Sequence, residues 1–484
     1  MIGILLLIPV LTALLCYSIK NRKAIEYINL SGAVLLTGVS ISPITASLTS
    51  PLSFFGSMLY MDALSSYIMS IVVLISLVTA IYSIEYMGQE FEEGIIKLKD
   101  LRYYYALMHL FIFTMLLTTI SNNLAVFWIA IEGTTLVSAL LVGFYKDRQA
   151  IEAAWKYIIL CTVGITFALL GIFIVYYASA ASMGGSGTLN WTELKDIGDK
   201  LNPSTMKLAF IFILVGYGTK AGLAPVHNWL PDAHSQAPTP ISALLSGILL
   251  KCSFVGIIRF IVVVNRSTGD SYTGQLLLLF GLLSMGIATA FILLQSNFKR
   301  LLAYHSIEHI GIIATGMGIG GFWGVYGSLL HILNHAIVKT LLFFATGKVR
   351  LVYHSTKIEN VKGAMTLMPV AGTIMLLAAL AIAGTPPFNI FLSEFIIIKA
   401  AVDNGNWITF TLFIVFATII FGGVLHHFGS MAFGKPDITG VEKEKRTVSI
   451  VLVMMAAVML ICGIYIPGFL EDLLFKSVRV VIGG

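Results

Sequence analysis

The sequence predicts an all-α polytopic membrane protein of about 14 transmembrane helices, two of them broken inside the bilayer. Three observations carry that prediction. Of the 484 residues, 57% are hydrophobic and 11% charged, whereas a soluble chain devotes about a quarter of its residues to charge. The apolar residues run in continuous stretches of bilayer length rather than in alternation, so helices, and not a closed barrel, satisfy the backbone in lipid. Clusters of glycine and proline interrupt two of those stretches.

The runs follow in order. Residues 2–19 lack a basic leader and precede Lys20, Arg22 and Lys23, so they read as a retained span with the N-terminus outside. Runs 28–47 and 61–86 come next, and Ser121-Asn122-Asn123 supplies the turn between 105–121 and 123–144. A sixth run, 154–178, leads into the polar segment 179–204, where Lys195 and Lys200 are offset by Glu193, Asp196 and Asp199. The seventh, 205–226, contains Gly218-Thr219-Lys220-Ala221-Gly222-Leu223-Ala224-Pro225. Runs 240–263, 274–295, 300–321 and 323–347 precede the twelfth, 367–401, which contains Gly384-Thr385-Pro386-Pro387-Phe388. The last two are 406–430 and 447–468.

Every second loop is basic: Lys20/Arg22/Lys23, Lys97/Lys99/Arg102, Lys146/Arg148, Lys299/Arg300, Lys348/Arg350/Lys357/Lys362 and Lys435/Lys443/Lys445/Arg446. Basic loops stay in the cytoplasm, so both termini are expected outside a cell (inner) membrane. The net charge of +6 then reflects loop charge rather than nucleic-acid binding. Cys16, Cys161, Cys252 and Cys462 are scattered, and no P-loop, haem or flavin motif is present, so no cofactor or catalytic centre is expected on this chain. His305-Ser306-Ile307-Glu308-His309 fits the H-x-x-E-H zinc-peptidase pattern, but no third ligand cluster is legible and no metal is expected. Gly316-Met317-Gly318-Ile319-Gly320-Gly321 fits a dinucleotide fingerprint without its strand, and reads as close helix packing.

Proline removes a donor and clashes with the preceding turn, so both interrupted spans should unwind. Lipid tolerates that only where protein or water meets the freed carbonyls, and paired broken helices point to a repeat-built transporter. Charges inside the runs point the same way. Glu132, Lys220 and Lys251 lie within spans, where a charge costs about 2.5–3.5 kcal/mol on insertion scales and calls for a wet or protein-lined axis. Glu132 is expected to pair with Lys220 if their helices are neighbours, the carboxylate favouring the charged lysine and desolvation the neutral one. His305 and His309 are four apart on one helix; His331, His335 and Lys339 form a stripe on the next, and Glu394 follows the second break. Histidine titrates near neutral pH, so His309, His335 and Lys339 are the leading second-half candidates for an ion path, with His305 and His331 behind them. His227 and His234 flank the first break and complete the candidates.

The segment Gly218–Arg259, with Trp229-Leu230-Pro231-Asp232-Ala233-His234 and Ala237-Pro238-Thr239-Pro240, resembles the antiporter-like subunits of respiratory complex I and the multisubunit cation antiporters. Gln149-Ala150-Ile151-Glu152-Ala153-Ala154-Trp155-Lys156-Tyr157 and the string around His305–His309 resemble component F of the hydrogenase-4 type. The resemblance spans about 60 to 430. It implies two inverted five-helix repeats with broken helices 7 and 12: a three-helix segment at 1–104, repeats at 105–263 and 264–430, and helix 14 within 431–484. It further implies a first-half pair at Glu132 and Lys220, a connecting lysine at Lys251, relay positions at His309, His335 and Lys339, and a terminal acid at Glu394. The implied activity is proton or sodium translocation, driven by electron transfer in partner subunits of a hydrogenase or quinone module. The alternative is a multisubunit Na+/H+ antiporter without redox partners. The chain shows no long lateral helix after its last run, so the most distal complex I position is not expected.

Overall fold

The computed structural model describes residues 2–438 and 446–483. Lys443 and Lys445 of the last basic loop lie outside the described residues. In chain order the elements begin with α1 (Ile2–Ser18) and α2 (Arg22–Ser47), followed by a hairpin of β1 (Leu52–Phe54) and β2 (Leu59–Met61). Then come α3 (Ala63–Glu92), α4 (Leu98–Ile120), α5 (Leu124–Val142), α6 (Arg148–Ser182), the short α7 (Trp191–Asp196) and α8 (Pro203–Ala221). Next are α9 (Leu230–Gln236), α10 (Thr239–Leu244), α11 (Leu250–Thr268), α12 (Asp270–Leu293), α13 (Phe298–Ile319) and α14 (Gly321–Tyr353). The chain continues through α15 (Ala364–Leu367), α16 (Pro369–Ile382), α17 (Asn389–Asp403), α18 (Trp407–Ala432), α19 (Arg446–Ile464) and α20 (Gly468–Ile482).

Local sequence explains several starts. Asn21, Asp62, Asn123, Asp147, Asn202 and Asn297 each accept a backbone N–H in the first turn of α2, α3, α5, α6, α8 and α13, as N-capping requires. Each predicted run falls on a helix. Among the described residues, however, nine helices are long and apolar enough by themselves to cross a membrane, or ten with the bent pair that joins α19 to α20 at 66°. Helices α8 and α13 miss that test because Lys207 and Lys220, and Lys299, Arg300 and Glu308, dilute them. Helices α16 and α17 miss it because the second break divides one run.

The two breaks have one hydrogen-bond pattern. After α8, Gly222 N–H donates to the Thr219 carbonyl, Leu223 N–H to Gly218 and Val226 N–H to Leu223. After α16, Gly384 donates to Ala381, Thr385 to Leu380 and Phe388 to Thr385, with the same offsets. Gly222 (φ 86°) and Gly384 (φ 72°) take the left-handed conformation that ends the first half-helix. Neighbour relations also repeat. In 105–263, α4 touches α5, α5 touches α6, α6 touches α8, α8 touches α11 and α11 touches α4; α12, α13, α14, α16/α17 and α18 repeat the scheme. The most apolar windows of α10–α11 and of α14 are wholly buried, so these helices form the seam between the halves.

Several of the basic residues form ion pairs: Arg22 with Glu92, Lys146 with Asp100, and Arg300 and Lys156 with Asp232. Their reading as loop charges needs correction at three positions. Lys299 and Lys348 are buried, Lys348 pairing with Glu85 at 3.1 Å, and Arg350 reaches fully buried Glu90 at 2.8 Å. Lys348 and Arg350 find carboxylates that α3 supplies and the loop count did not pair with them, whereas Lys299 is held by the Ala237 carbonyl at 2.6 Å.

Candidate functional site

Lys220 ends α8 just before the first break and is fully buried. Its ammonium donates to Thr135 Oγ1 at 2.9 Å and to the Tyr157 hydroxyl, and lies 4.4 Å from the Tyr157 ring and 5.9 Å from the Trp229 ring. Ser138 Oγ holds the Tyr157 hydroxyl from the other side at 2.7 Å. Glu132 accepts from Thr162 Oγ1 at 2.8 Å and from Thr135 Oγ1 at 3.3 Å. The expected direct Glu132–Lys220 pair is therefore corrected to a bridge through Thr135. Helix α6 contacts both α5 and α8 and supplies Thr162 to Glu132 and Tyr157 to Lys220.

Around the seam, Lys251 follows a π-helical turn, Leu245–Leu249, a distortion that frees carbonyls and recurs at functional sites. Lys251 Nζ donates to the Ser246 carbonyl at 2.5 Å and meets His335 Nδ1 at 2.5 Å. The His335 ring lies 4.8 Å from that of His309, whose Nδ1 is 2.8 Å from His331 Nε2. His331 Nδ1 reaches Ser393 Oγ at 3.0 Å on α17. His305 Nδ1 meets Glu308 Oε2 at 2.9 Å, and His309 Nε2 lies 4.0 Å from that oxygen. Glu394 is buried against Gly384, and its carboxylate lies within 4.8 Å of the facing nitrogens of His309 and His331. Lys339 donates to the Leu302 carbonyl.

Chemistry fixes the direction of part of this chain. Ser393 Oγ donates its proton to the Ile390 carbonyl, so it accepts from His331 Nδ1–H. His331 Nε2 then carries a lone pair and accepts from His309 Nδ1–H, which leaves His309 Nε2 bare. A proton taken up at His309 Nε2 can leave through Nδ1 to His331.

All the leading candidates except Glu132, which is half-buried, are buried. His331 joins the relay directly. His305 joins it through Glu308, which the sequence marked only as part of a zinc motif. The expected lack of further metal donors is corrected: the fold brings His331 and Glu394 beside His309, and His305–Glu308–His309 forms a second group with donors within 4.8 Å. His227 is buried, and no bond of the described residues links it to the axis. No hydrogen bond among the described residues connects Lys220 to Lys251. Thr135, Tyr157, Ser393 and Lys299 were missed, the first three because ordinary polar residues carry no signal until a helix apposes them. Lys299 was mistaken for a loop cation.

A sequence profile described as NADH:quinone oxidoreductase/Mrp antiporter, transmembrane, matches residues 121–421, which include every leading candidate. The chain belongs to this family. It is 36% identical over 413 residues to the hydrogenase-4 component F homolog of Methylacidiphilum infernorum (isolate V4), covering 85% of this chain and 86% of that protein. It is 29% identical over 364 residues to hydrogenase-4 component B of Escherichia coli (strain K12), covering 72% of this chain but 52% of that longer protein. A subunit in the structure of the membrane-bound sulfane sulfur reductase, an archaeal respiratory membrane complex, is similar with a TM-score of 0.88 and 25% identity, covering 99% of this chain and 97% of that one.

Proposed function

We propose that this chain is the ion-translocating membrane subunit of a complex I-like oxidoreductase, such as a membrane-bound hydrogenase. Electron transfer in partner subunits would alter charge near Glu132 and Lys220, and the perturbation would pass along Lys251, His335, His309 and His331 to Glu394, with Lys339 as a flanking cation. The observation that carries this reading is the buried Lys251–His335–His309–His331 sequence, which leads from α11 at the seam to Ser393 on α17, just after the second break. Nitrogen donors dominate it, which favours protons over a sodium ion that would need oxygen ligands. The reading takes the fourteen helical runs as fourteen crossings and 105–263 and 264–430 as inverted repeats. It sets the basic loops in the cytoplasm and both termini outside a cell membrane.

The test is Lys220→Ala and Glu132→Gln in the intact complex, reading ions pumped per electron at equal assembly. Loss of pumping is expected; unaltered stoichiometry overturns the assignment. The family also includes Mrp antiporters, so the second reading is an antiporter subunit without a redox partner. Neighbouring genes for hydrogenase or quinone-module subunits favour the first reading, and cation-antiporter genes alone the second.

A further inference from the structure

The path proposed above passes through His309 and leaves His305 and Glu308 beside it. These three residues are spaced i, i+3 and i+4, so on α13 they share one face. His305 Nδ1 lies 2.9 Å and His309 Nε2 4.0 Å from the same oxygen, Glu308 Oε2. The donor atoms of the three residues fall within 4.8 Å of one another. Ligand atoms bound about 2.0–2.2 Å from a tetrahedral zinc ion stand roughly 3.3–3.5 Å apart. The two spacings straddle that value, and shifts of about half an ångström complete a three-ligand set.

Burial and hydrogen bonding point to a ligand at this face. His305 and His309 are fully buried and Glu308 is 3% exposed, yet His309 Nε2 and His305 Nε2 have no hydrogen-bond partner among the described residues. Because the His309 Nδ1–H is committed to His331, the Nε2 lone pair faces the Glu308 carboxylate, acceptor against acceptor. A cation between them relieves that repulsion. Metal-bound histidines characteristically donate their other ring N–H to a partner that fixes the tautomer. His331 does this for His309 at 2.8 Å, and Ser393 does it for His331 at 3.0 Å. Two imidazoles and a carboxylate suit a borderline-soft divalent cation such as zinc, and not the all-oxygen shells of magnesium or calcium. His309, His331 and Glu394 also gather donors within 4.8 Å, but two of their nitrogens already share a proton. Glu394 instead acts on Glu308 as a second negative charge, which balances a divalent ion and offsets the nearby Lys339.

We propose that His305, Glu308 and His309 bind a divalent cation of the zinc class, and that the bound ion blocks the ion path at His309. The ion takes the His309 Nε2 lone pair, a Glu308 oxygen and His305 Nδ1. The His305 ring passes from its Nδ1–H to its Nε2–H tautomer, so no net proton leaves the site, and water completes the shell. With its lone pair occupied, His309 Nε2 can no longer take up the proton that leaves through Nδ1 to His331. All three ligands are buried, so the site admits an ion and not a peptide. The block, though not the binding, rests on the ion-translocating reading above.

Binding is measured on the purified intact complex, stripped with a chelator and dialysed against zinc ion. Glu308→Gln keeps the shape and loses the charge, and His305→Ala removes a ligand; each is expected to retain one zinc ion fewer per copy of this chain than wild type. Equal zinc in wild type and both variants overturns the site. Should the variants fail to assemble, zinc-edge X-ray absorption of the wild-type complex loaded with one ion decides. Two imidazole nitrogens and an oxygen at about 2.0–2.2 Å support the site, whereas thiolate ligands or no retained zinc overturn it. The block is read in proteoliposomes. Zinc is expected to slow wild-type proton uptake by about a hundredfold, the scale of losing a placed proton carrier, and chelation to restore it. Unchanged uptake with zinc bound overturns the block, provided Lys220→Ala abolishes pumping; if Lys220→Ala is also silent, the underlying reading fails instead.

Discussion

A lysine at the centre of a bilayer costs about 2.5–3.5 kcal/mol on insertion scales, and Lys220 offsets that cost with two hydroxyls and two aromatic faces instead of a contacting carboxylate. A hydrogen bond to a charged group contributes about 1.5–3 kcal/mol, so Tyr157 matters through its hydroxyl as well as its ring. Tyr157→Phe keeps the ring and is expected to assemble normally while pumping falls at least several-fold; Tyr157→Leu should also lower the melting temperature. Pumping assays with thermal denaturation of the purified complex check both outcomes, and full activity in Tyr157→Phe would remove the hydroxyl from the path. Gly384 is a second test. Its positive φ already strains any other residue, and a Cβ there would collide with the Glu394 carboxylate. Gly384→Ala should cost about 1–3 kcal/mol and cut pumping, whereas Gly38→Ala, in open space on α2, should leave both unchanged. Glu132, Lys220 and Lys251 were legible in the sequence because a charge in an apolar run has few explanations. Tyr157 and Thr135 were not, because their role depends on α5 and α6 facing α8.

Each break unwinds a helix where unpaired carbonyls would be costly, and each meets that cost locally. At the first, the Trp229 indole donates to the Thr219 carbonyl at 2.8 Å and Ala224 N–H donates to Ser284 Oγ at 2.9 Å on α12. The Thr219 carbonyl also accepts from Gly222 N–H, so Trp229→Phe removes one of its two bonds. That variant is expected to cost about 0.5–1.5 kcal/mol and shift the midpoint of thermal unfolding down. Ser284→Ala, by contrast, leaves the buried Ala224 N–H without its partner and is expected to cost about 1–3 kcal/mol. Equal melting of Trp229→Phe and wild type would show that the indole bond contributes nothing. Glycine and proline made both breaks legible in the sequence, because few residues end a helix inside lipid. The hairpin β1–β2, α7 and α20 were not anticipated. They are short or amphipathic, and their apolar faces have meaning only against α3, α11 and α14. Burial at the start of α13 was likewise hidden: Lys299 and Arg300 are adjacent in sequence, and only packing against α9 separates the inward lysine from the outward arginine.

At the scale of the molecule, two similarly wired halves meet at α10–α11 and α14, and α3 runs along that seam. The overall class was legible from composition alone. The tie between the N-terminal helices and the first half was not, since it joins Asp62 to Arg259 across nearly two hundred residues. Arg259 makes a two-pronged contact with Asp62, at 2.6 and 2.8 Å, and a third bond to Ser65 Oγ at 2.9 Å. Its guanidinium lies 4.1 Å from the Trp191 ring, and Trp191 Nε1 donates to the Arg259 carbonyl. No hydrogen bond among the described residues connects this cluster to the Lys251–His335 chain, so its work is to lock α3 and α7 onto α11. Removing one member of a buried pair leaves an uncompensated charge and costs about 3–5 kcal/mol, whereas replacing both with apolar residues is often neutral. Asp62→Leu alone should thus lower the melting temperature sharply, and Asp62→Leu with Arg259→Met should recover most of the loss. Ions pumped per electron should match wild type in the double variant, because the lock lies off the path; a double variant that melts normally yet fails to pump would put Asp62 and Arg259 on it.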